Sequence, residues 1–188
     1  MKFSKDEIKD IIVSISIMTL FYTFPEWSIK FATYFLIISI SFILKQIMHK
    51  MMAKKLQCTS TYKVHMPFFL FGLWLMILKP ILGLSFLVVG SIEIVPYKFG
   101  RWGIKLVKLT PYDLGIITLA GTMVNLIIAY TFLFVQSDIS QTIVKINCML
   151  VIFNMIPLPQ FDGSKIFMWT VWGWLFISLL GIIPLLLI

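Results

Sequence analysis

Residues 34–50 read YFLIISISFILKQIMHK, a long apolar approach that ends in a cluster of polar side chains. With the residues before it, the apolar part is long enough for a helix to cross a hydrocarbon core about 30 Å thick. Lys45, Gln46 and His49 would share one face of that helix, because residues three and four apart are neighbours. Polar groups at membrane depth are costly and usually face a protein interior or a water-filled cavity. The stretch therefore predicts a transmembrane helix that carries a polar site.

The rest of the chain repeats the apolar pattern. Of its 188 residues, 60% are hydrophobic, well above the fraction in a soluble domain. This composition predicts an all-α polytopic membrane protein, with residues 1–188 forming one integral membrane domain. About six hydrophobic helical segments are expected, of which the first and fifth are short for a span: 11–24, 31–52, 68–89, 114–135, 143–155 and 166–188.

Two stretches between these segments differ in pattern. Residues 57–67 are polar and β-branched, and residues 92–108 alternate apolar with polar side chains. Alternation with a period of two is typical of strands rather than helices. We expect short surface β segments here, which could pair as a small sheet.

Charge and composition limit the classes of partner. The net charge of +8 is carried largely by lysines in the loops, for which anionic lipid headgroups are the ordinary partner. Nucleic acid binding would need a soluble basic face or a stacking platform, and the sequence has neither, so none is expected. We therefore predict a multi-pass protein of the cell membrane in contact with the lipid bilayer. The orientation stays open, because both sides collect similar numbers of basic residues.

Three elements of the sequence resemble the site-2 protease family, whose members are intramembrane zinc metalloproteases. Residues 42–53, FILKQIMHKMMA, resemble the family's F-x-x-H-E-x-x-H-x-x-x-A segment. Residues 153–167, FNMIPLPQFDGSKIF, are similar to its N-x-x-P-x-P-x-x-D-G motif, and residues 120–125, AGTMVN, to its A-G-P-x-x-N element. The elements occur in the family's order. The resemblance implies a site-2 protease-like core over residues 31–167, with flanking helical segments at 1–30 and 168–188.

The resemblance also assigns roles at the metal centre. His49 matches the second histidine ligand and Asp162 the aspartate ligand, whereas Lys45 stands at the lost first ligand and Gln46 at the general base. A protonated lysine offers no lone pair to zinc, and glutamine cannot accept a proton from water at neutral pH. No catalytic residue of the motif is therefore intact, and no cofactor is expected. We instead predict that Lys45 forms an ion pair with Asp162, with Gln46 hydrogen-bonding into the same cluster.

The second motif carries four further expectations. By the resemblance, Asn154 would bind the substrate backbone, while Pro157, Pro159 and Gly163 have structural roles. Taken alone, the motif also suits a simple turn in which the aspartate is a cap and Gly163 takes a positive φ. A broken helix in this region would expose backbone groups to a bound peptide strand.

Three functions remain open at this point. The first is a catalytically inactive pseudo-protease that binds or regulates membrane proteins through transmembrane helices or extended peptide segments. The second is an active zinc metalloendopeptidase with an unusual ligand set, for which His65 and Cys58 are the available substitutes. The third is a structural or transport-related subunit, because buried pairs of lysine and aspartate also occur along ion paths.

Overall fold

The computed structural model describes residues 3–24, 30–67, 69–70, 72–74, 90–100, 103–106, 108–159 and 161–188. Most of the predicted third hydrophobic segment, 68–89, lies outside these ranges. The elements below are numbered in chain order within the described residues.

Helices account for most of the fold. They are α1 (Lys5–Thr23), α2 (Phe31–Lys55), α3 (Pro111–Leu133), α4 (Asp138–Asn154), α5 (Asp162–Trp169) and α6 (Val171–Leu187). Within the described residues, α2 and α3 are long and apolar enough to cross a membrane, and α6 is a shorter apolar helix. The two long helices coincide with predicted segments 31–52 and 114–135. The full set of about six spans stays a prediction.

The last hydrophobic segment was expected to be continuous from 166 to 188, and this expectation is wrong. The helix stops at Thr170, whose backbone is extended with φ −153° and ψ 116°. The Thr170 hydroxyl then accepts a hydrogen bond from the Gly173 N–H at 3.2 Å and begins α6. A threonine at this position satisfies one of the free N–H groups of a helix start, which hydropathy cannot reveal.

Four short strands accompany the helices, in line with the β segments expected from the sequence. Strand β1 (Thr59–Val64) pairs antiparallel with β2 (Gly90–Val95), and β3 (Tyr97–Gly100) pairs antiparallel with β4 (Gly103–Leu106). The expected β segments and their pairing as a small sheet are thus confirmed, but the expected surface location is wrong for the first sheet, in which Tyr62 and Ile92 are each 3% exposed. Tyr62 lies opposite Ile92 in the first sheet.

Helix α1 covers the outer edge of β1. Glu7 accepts a hydrogen bond from the Tyr62 N–H at 3.1 Å, and Asp10 accepts one from the Val64 N–H at 3.1 Å. Lys50 of α2 then lies 2.7 Å from the second oxygen of Glu7. The edge of β1 is therefore occupied by carboxylates of α1, which also fixes α1 against α2.

Helix α3 is the centre of the packing and contacts α2, α4, α5 and α6. The largest apolar cluster is built from buried residues of α1, α2, the first sheet, α3 and α4, among them Ile38, Phe42, Ile92, Ile117 and Leu150. This arrangement brings the polar face of α2 opposite the start of α5. The candidate site lies at that junction.

Candidate functional site

The centre of the site is an ion pair between α2 and α5. The Nζ atom of Lys45 lies 2.8 Å from Oδ2 of Asp162, and both residues are buried, with 3% and 2% of their surface exposed. The sequence-based prediction that these two residues pair is confirmed. Because neither charge is solvated, the pair depends on its short distance for compensation.

His49 completes the cluster from one turn further along α2. Its Nδ1 atom lies 2.9 Å from the carbonyl oxygen of Ile117, and its Nε2 atom lies 3.6 Å from Oδ2 of Asp162. A carbonyl oxygen only accepts hydrogen bonds, so Nδ1 carries a proton and donates a hydrogen bond to Ile117, while Nε2 faces Asp162 without a hydrogen bond in the described ranges. The backbone contact is the type that orients a metal-binding histidine.

The donor set does not fit a catalytic zinc ion. Two ligands of one tetrahedral zinc ion lie about 3.3 Å apart, and His49 and Asp162 are close to that separation. The third ligand position of such a site is occupied by the Lys45 ammonium, which has no lone pair to offer a metal. Within the described residues, no group of three His, Cys, Asp or Glu side chains could hold a metal ion. Two of the three protein ligands are therefore present, and the ammonium of Lys45 lies at the position of the third.

Gln46 and Asn154 line a small cavity beside the ion pair. Its volume of about 10 Å³ is room for roughly one water molecule. The amide of Asn154 donates a hydrogen bond to the Leu150 carbonyl, and Gln46 has no hydrogen bond to the cluster in the described part of the chain. The predicted Gln46 contact is thus not found, and a peptide strand does not fit beside Asn154 in this conformation. The substrate role of Asn154 stays a prediction.

The second motif forms the link from α4 to α5. Pro157 and Pro159 lie in this link, and the Pro159 carbonyl accepts a hydrogen bond from the Ser164 hydroxyl at 3.3 Å. A Cβ at Gly163 would lie 2.3 Å from the carbonyl oxygen of Met155. Gly163 is therefore required by close approach of the backbone. The interpretation in which it takes a positive φ is wrong.

The AGTMVN element lies inside α3. Its helix continues through Thr122, whose hydroxyl donates a hydrogen bond to the Thr118 carbonyl at 3.1 Å. Asn125 is fully buried, and neither of its side-chain polar atoms has a hydrogen-bond partner among the described residues. The element thus belongs to the α3 face that packs against the cluster, because the backbone of its Gly121 contacts the His49 ring.

Two contacts at the site were not anticipated from the sequence. Lys165 donates a hydrogen bond from Nζ to the Ile92 carbonyl at 2.8 Å and lies 3.9 Å from Oδ1 of Asp162. Trp174 of α6 donates from its indole N–H to the Met155 carbonyl at 2.6 Å. The spacing of three residues from Asp162 was the available signal for Lys165. The contact of Trp174 depends on tertiary structure alone.

A larger cavity follows the outer side of β2. This cavity, here called the β2 groove, has a volume of about 440 Å³. It is lined by residues 91–96 together with His65, Leu114, Pro159 and Lys165. The groove is therefore bordered by a strand and by the link that precedes α5.

His65 and Cys58 do not supply the missing ligands. The Nε2 atom of His65 lies 3.0 Å from the Ser91 hydroxyl, at the β2 groove. The Cys58 thiol donates to the Ala53 carbonyl at 3.3 Å, and burial raises the pKa of this thiol. Neither forms a metal-binding group with His49 and Asp162 in the described part of the chain.

Comparison with known proteins gives one informative similarity. The chain is 29% identical over 188 residues to a protein of Methanocaldococcus jannaschii named "Putative zinc metalloprotease MJ0611", covering 95% of this chain and 92% of that protein. No protein-family model matches the chain. No solved structure matches it. The similarity supports a protease-like membrane protein and agrees with the resemblance to site-2 proteases.

Proposed function

We propose that this chain is a multi-pass protein of the cell membrane with a site-2 protease-like core, which binds other membrane proteins without cutting them. The observation that carries the proposal is the 2.8 Å contact of Lys45 with Asp162. Zinc proteases with H-E-x-x-H need a metal-bound water and a carboxylate that takes its proton. Lys45 removes a ligand and adds a competing cation, and Gln46 removes the base.

The ion pair offers a reason why the fold persists without a metal. Asp162 is buried between α2 and α5, and an uncompensated carboxylate there would cost several kcal/mol. The Lys45 ammonium supplies the positive charge that a divalent ion would otherwise provide. The hydrogen bond from His49 to the Ile117 carbonyl adds a direct contact between α2 and α3.

In this proposal, the protein binds its partner in the β2 groove. Strands with accessible edges bind extended peptides by adding a strand, in which main-chain hydrogen bonds supply affinity. The groove of about 440 Å³ follows the outer edge of β2, with which no strand of the described residues pairs, whereas the cavity at Asn154 holds about one water molecule. Extended segments of other membrane proteins are therefore the proposed ligands, and the lipid bilayer surrounds the complex.

The zinc content of the detergent-purified protein tests the loss of the metal site. We expect near-zero zinc in the natural protein and about one zinc per chain in the double variant Lys45→His with Gln46→Glu, because both restored side chains complete a three-ligand site with a base. A matched control is Lys54→His, which adds a histidine at an exposed position of α2. This control should gain no metal.

One result would overturn the proposal directly. If the natural protein carried about one zinc per chain, and Asp162→Ala removed it, the site would bind metal through a ligand outside the cluster described above. The second interpretation, an active peptidase with an unusual ligand set, would then replace the first. Adding Asp162→Ala to the restored double variant should abolish its zinc, which establishes where the metal binds.

A further inference from the structure

The pairing register determines which backbone groups of β2 face the groove. In an antiparallel pair, residues opposite each other alternate between exchanging hydrogen bonds and pointing their backbone groups away. The Tyr62 N–H donates to Glu7, away from β2, and the Ser60 carbonyl accepts from Lys50 on the same outer side. Their partners are Ile92 and Ile94. The backbone groups of these two residues therefore point away from β1, toward the groove.

Lys165 occupies a backbone acceptor at the Ile92 end of the β2 edge. Its ammonium binds the Ile92 carbonyl at 2.8 Å, so a strand added along β2 could pair at Ile94 but would lose that carbonyl as an acceptor. The ammonium also lines the β2 groove, with 13% of the Lys165 side chain exposed. An added strand would therefore meet a positive charge at the Ile92 end.

The charges around this end do not balance. The cluster contains the ammonium groups of Lys45 and Lys165 and the single carboxylate of Asp162. Glu93 also lines the β2 groove, but its carboxylate forms its close ion pair with the Lys63 ammonium at 2.6 Å, so it offsets the charge of Lys165 only in part. Within the part of the chain that the structure describes, the cluster therefore carries an excess of positive charge in a largely buried position. An incoming carboxylate would be stabilised there.

We propose that the β2 groove binds the C-terminal end of an extended peptide, with its terminal carboxylate at Lys165. A strand antiparallel to β2 runs from Ile94 toward Ile92, so its C-terminus arrives at the ammonium. A parallel strand would bring a positively charged N-terminus there, which the same charge repels. This inference rests on the proposed function. In that function the β2 groove binds a peptide, and the inference names the class of peptide.

The experiment uses photo-crosslinking of the full-length protein in detergent. The probes are two random hexapeptide libraries with an N-terminal benzophenone, one with a free C-terminal carboxylate and one amidated, each at up to about 1 mM. Crosslinked positions are then mapped by mass spectrometry. We expect crosslinks at residues 90–96 or 159–165, about tenfold stronger for the carboxylate library. Lys165→Met should remove the difference, while Lys165→Arg and the control Lys54→Met should retain it.

The outcomes separate the two proposals. Equal crosslinking of both libraries in the groove would overturn the carboxylate inference and leave peptide binding by the groove intact. Crosslinking that is absent from the groove with both libraries would overturn the inference and the peptide-binding part of the proposed function together. The comparison of the libraries is made on the natural protein, so it does not depend on whether Lys165→Met folds.

Discussion

The imidazole of His49 lies directly against the backbone of Gly121, where a Cβ atom would be 2.2 Å from the ring. This contact brings α2 and α3 together at the cluster and leaves no space for any other residue at position 121. The Nδ1 atom of the same ring donates a hydrogen bond to the carbonyl oxygen of Ile117, which lies one turn earlier on α3. The position of His49 is therefore determined by α3 as much as by its own helix.

We expect Gly121→Ala to destabilise the protein by about 1–3 kcal/mol, the usual effect of overpacking a core. The clash involves a ring that is fully buried and hydrogen-bonded, so it cannot move aside freely. Thermal unfolding in detergent measures the effect. The matched comparison is Gly181→Ala, whose Cβ would lie 2.9 Å from the buried Val151 side chain, a smaller overlap that should cost less. Equal losses for both variants would contradict the importance of the His49 contact.

Removing the cation at the cluster should have a larger effect. Lys45→Met leaves the Asp162 carboxylate buried without its nearest partner, which typically costs 3–5 kcal/mol, so we expect a loss of about that size. Adding Asp162→Asn should restore much of the stability, because the unpaired charge is then absent. A double-mutant cycle by thermal unfolding measures this coupling.

The matched control for this cycle is Lys63→Met, which breaks the exposed pair with Glu93. Exposed pairs contribute about 0–1 kcal/mol, so the control should change little. If Lys45→Met were as mild as Lys63→Met, the pair with Asp162 would not be needed for packing, and the account of the fold without metal would fail.

The sequence predicted the parts of the structure that depend on local pattern or on motif order. The β-branched stretch 57–67 contains β1, the alternating stretch 92–108 contains most of β2 together with β3 and β4, and the matched motifs predicted the contact of Lys45 with Asp162. Both inferences work because the responsible residues repeat at short spacing or occupy positions in a recognisable motif.

Other features could not be predicted, because they depend on contacts between distant segments. The contact of Lys165 with Ile92 joins residues 73 positions apart, and the edge of β1 is covered by α1 from 55 positions away. The break at Thr170 was missed for a different reason. Apolar residues continue on both sides of it, so hydropathy shows no boundary where the backbone becomes extended.

The indole of Trp174 provides a test of how α6 is attached. Trp174→Phe keeps most of the ring but leaves the Met155 carbonyl without its donor at 2.6 Å, so a loss of about 1 kcal/mol is expected. Trp172→Phe is the control, because Trp172 is 81% exposed. Thermal unfolding should distinguish the variants. A larger loss for Trp172→Phe would place the attachment of α6 elsewhere.

Tyr62 makes the junction of α1 and β1 sensitive to alkaline pH. Burial raises the pKa of its hydroxyl above the usual 10.0, and the Ser14 hydroxyl lies 2.8 Å from the Tyr62 hydroxyl. As the pH rises above about 10, the unfolded chain loses this proton before the folded protein does, so the free energy of unfolding falls by up to about 1.4 kcal/mol per pH unit. Tyr62→Phe should remove that part of the slope in thermal unfolding measured between pH 9 and about 11. Ser14→Ala keeps the titrating hydroxyl and should retain the slope, whereas identical slopes for the natural protein and Tyr62→Phe would show that Tyr62 is not the group responsible.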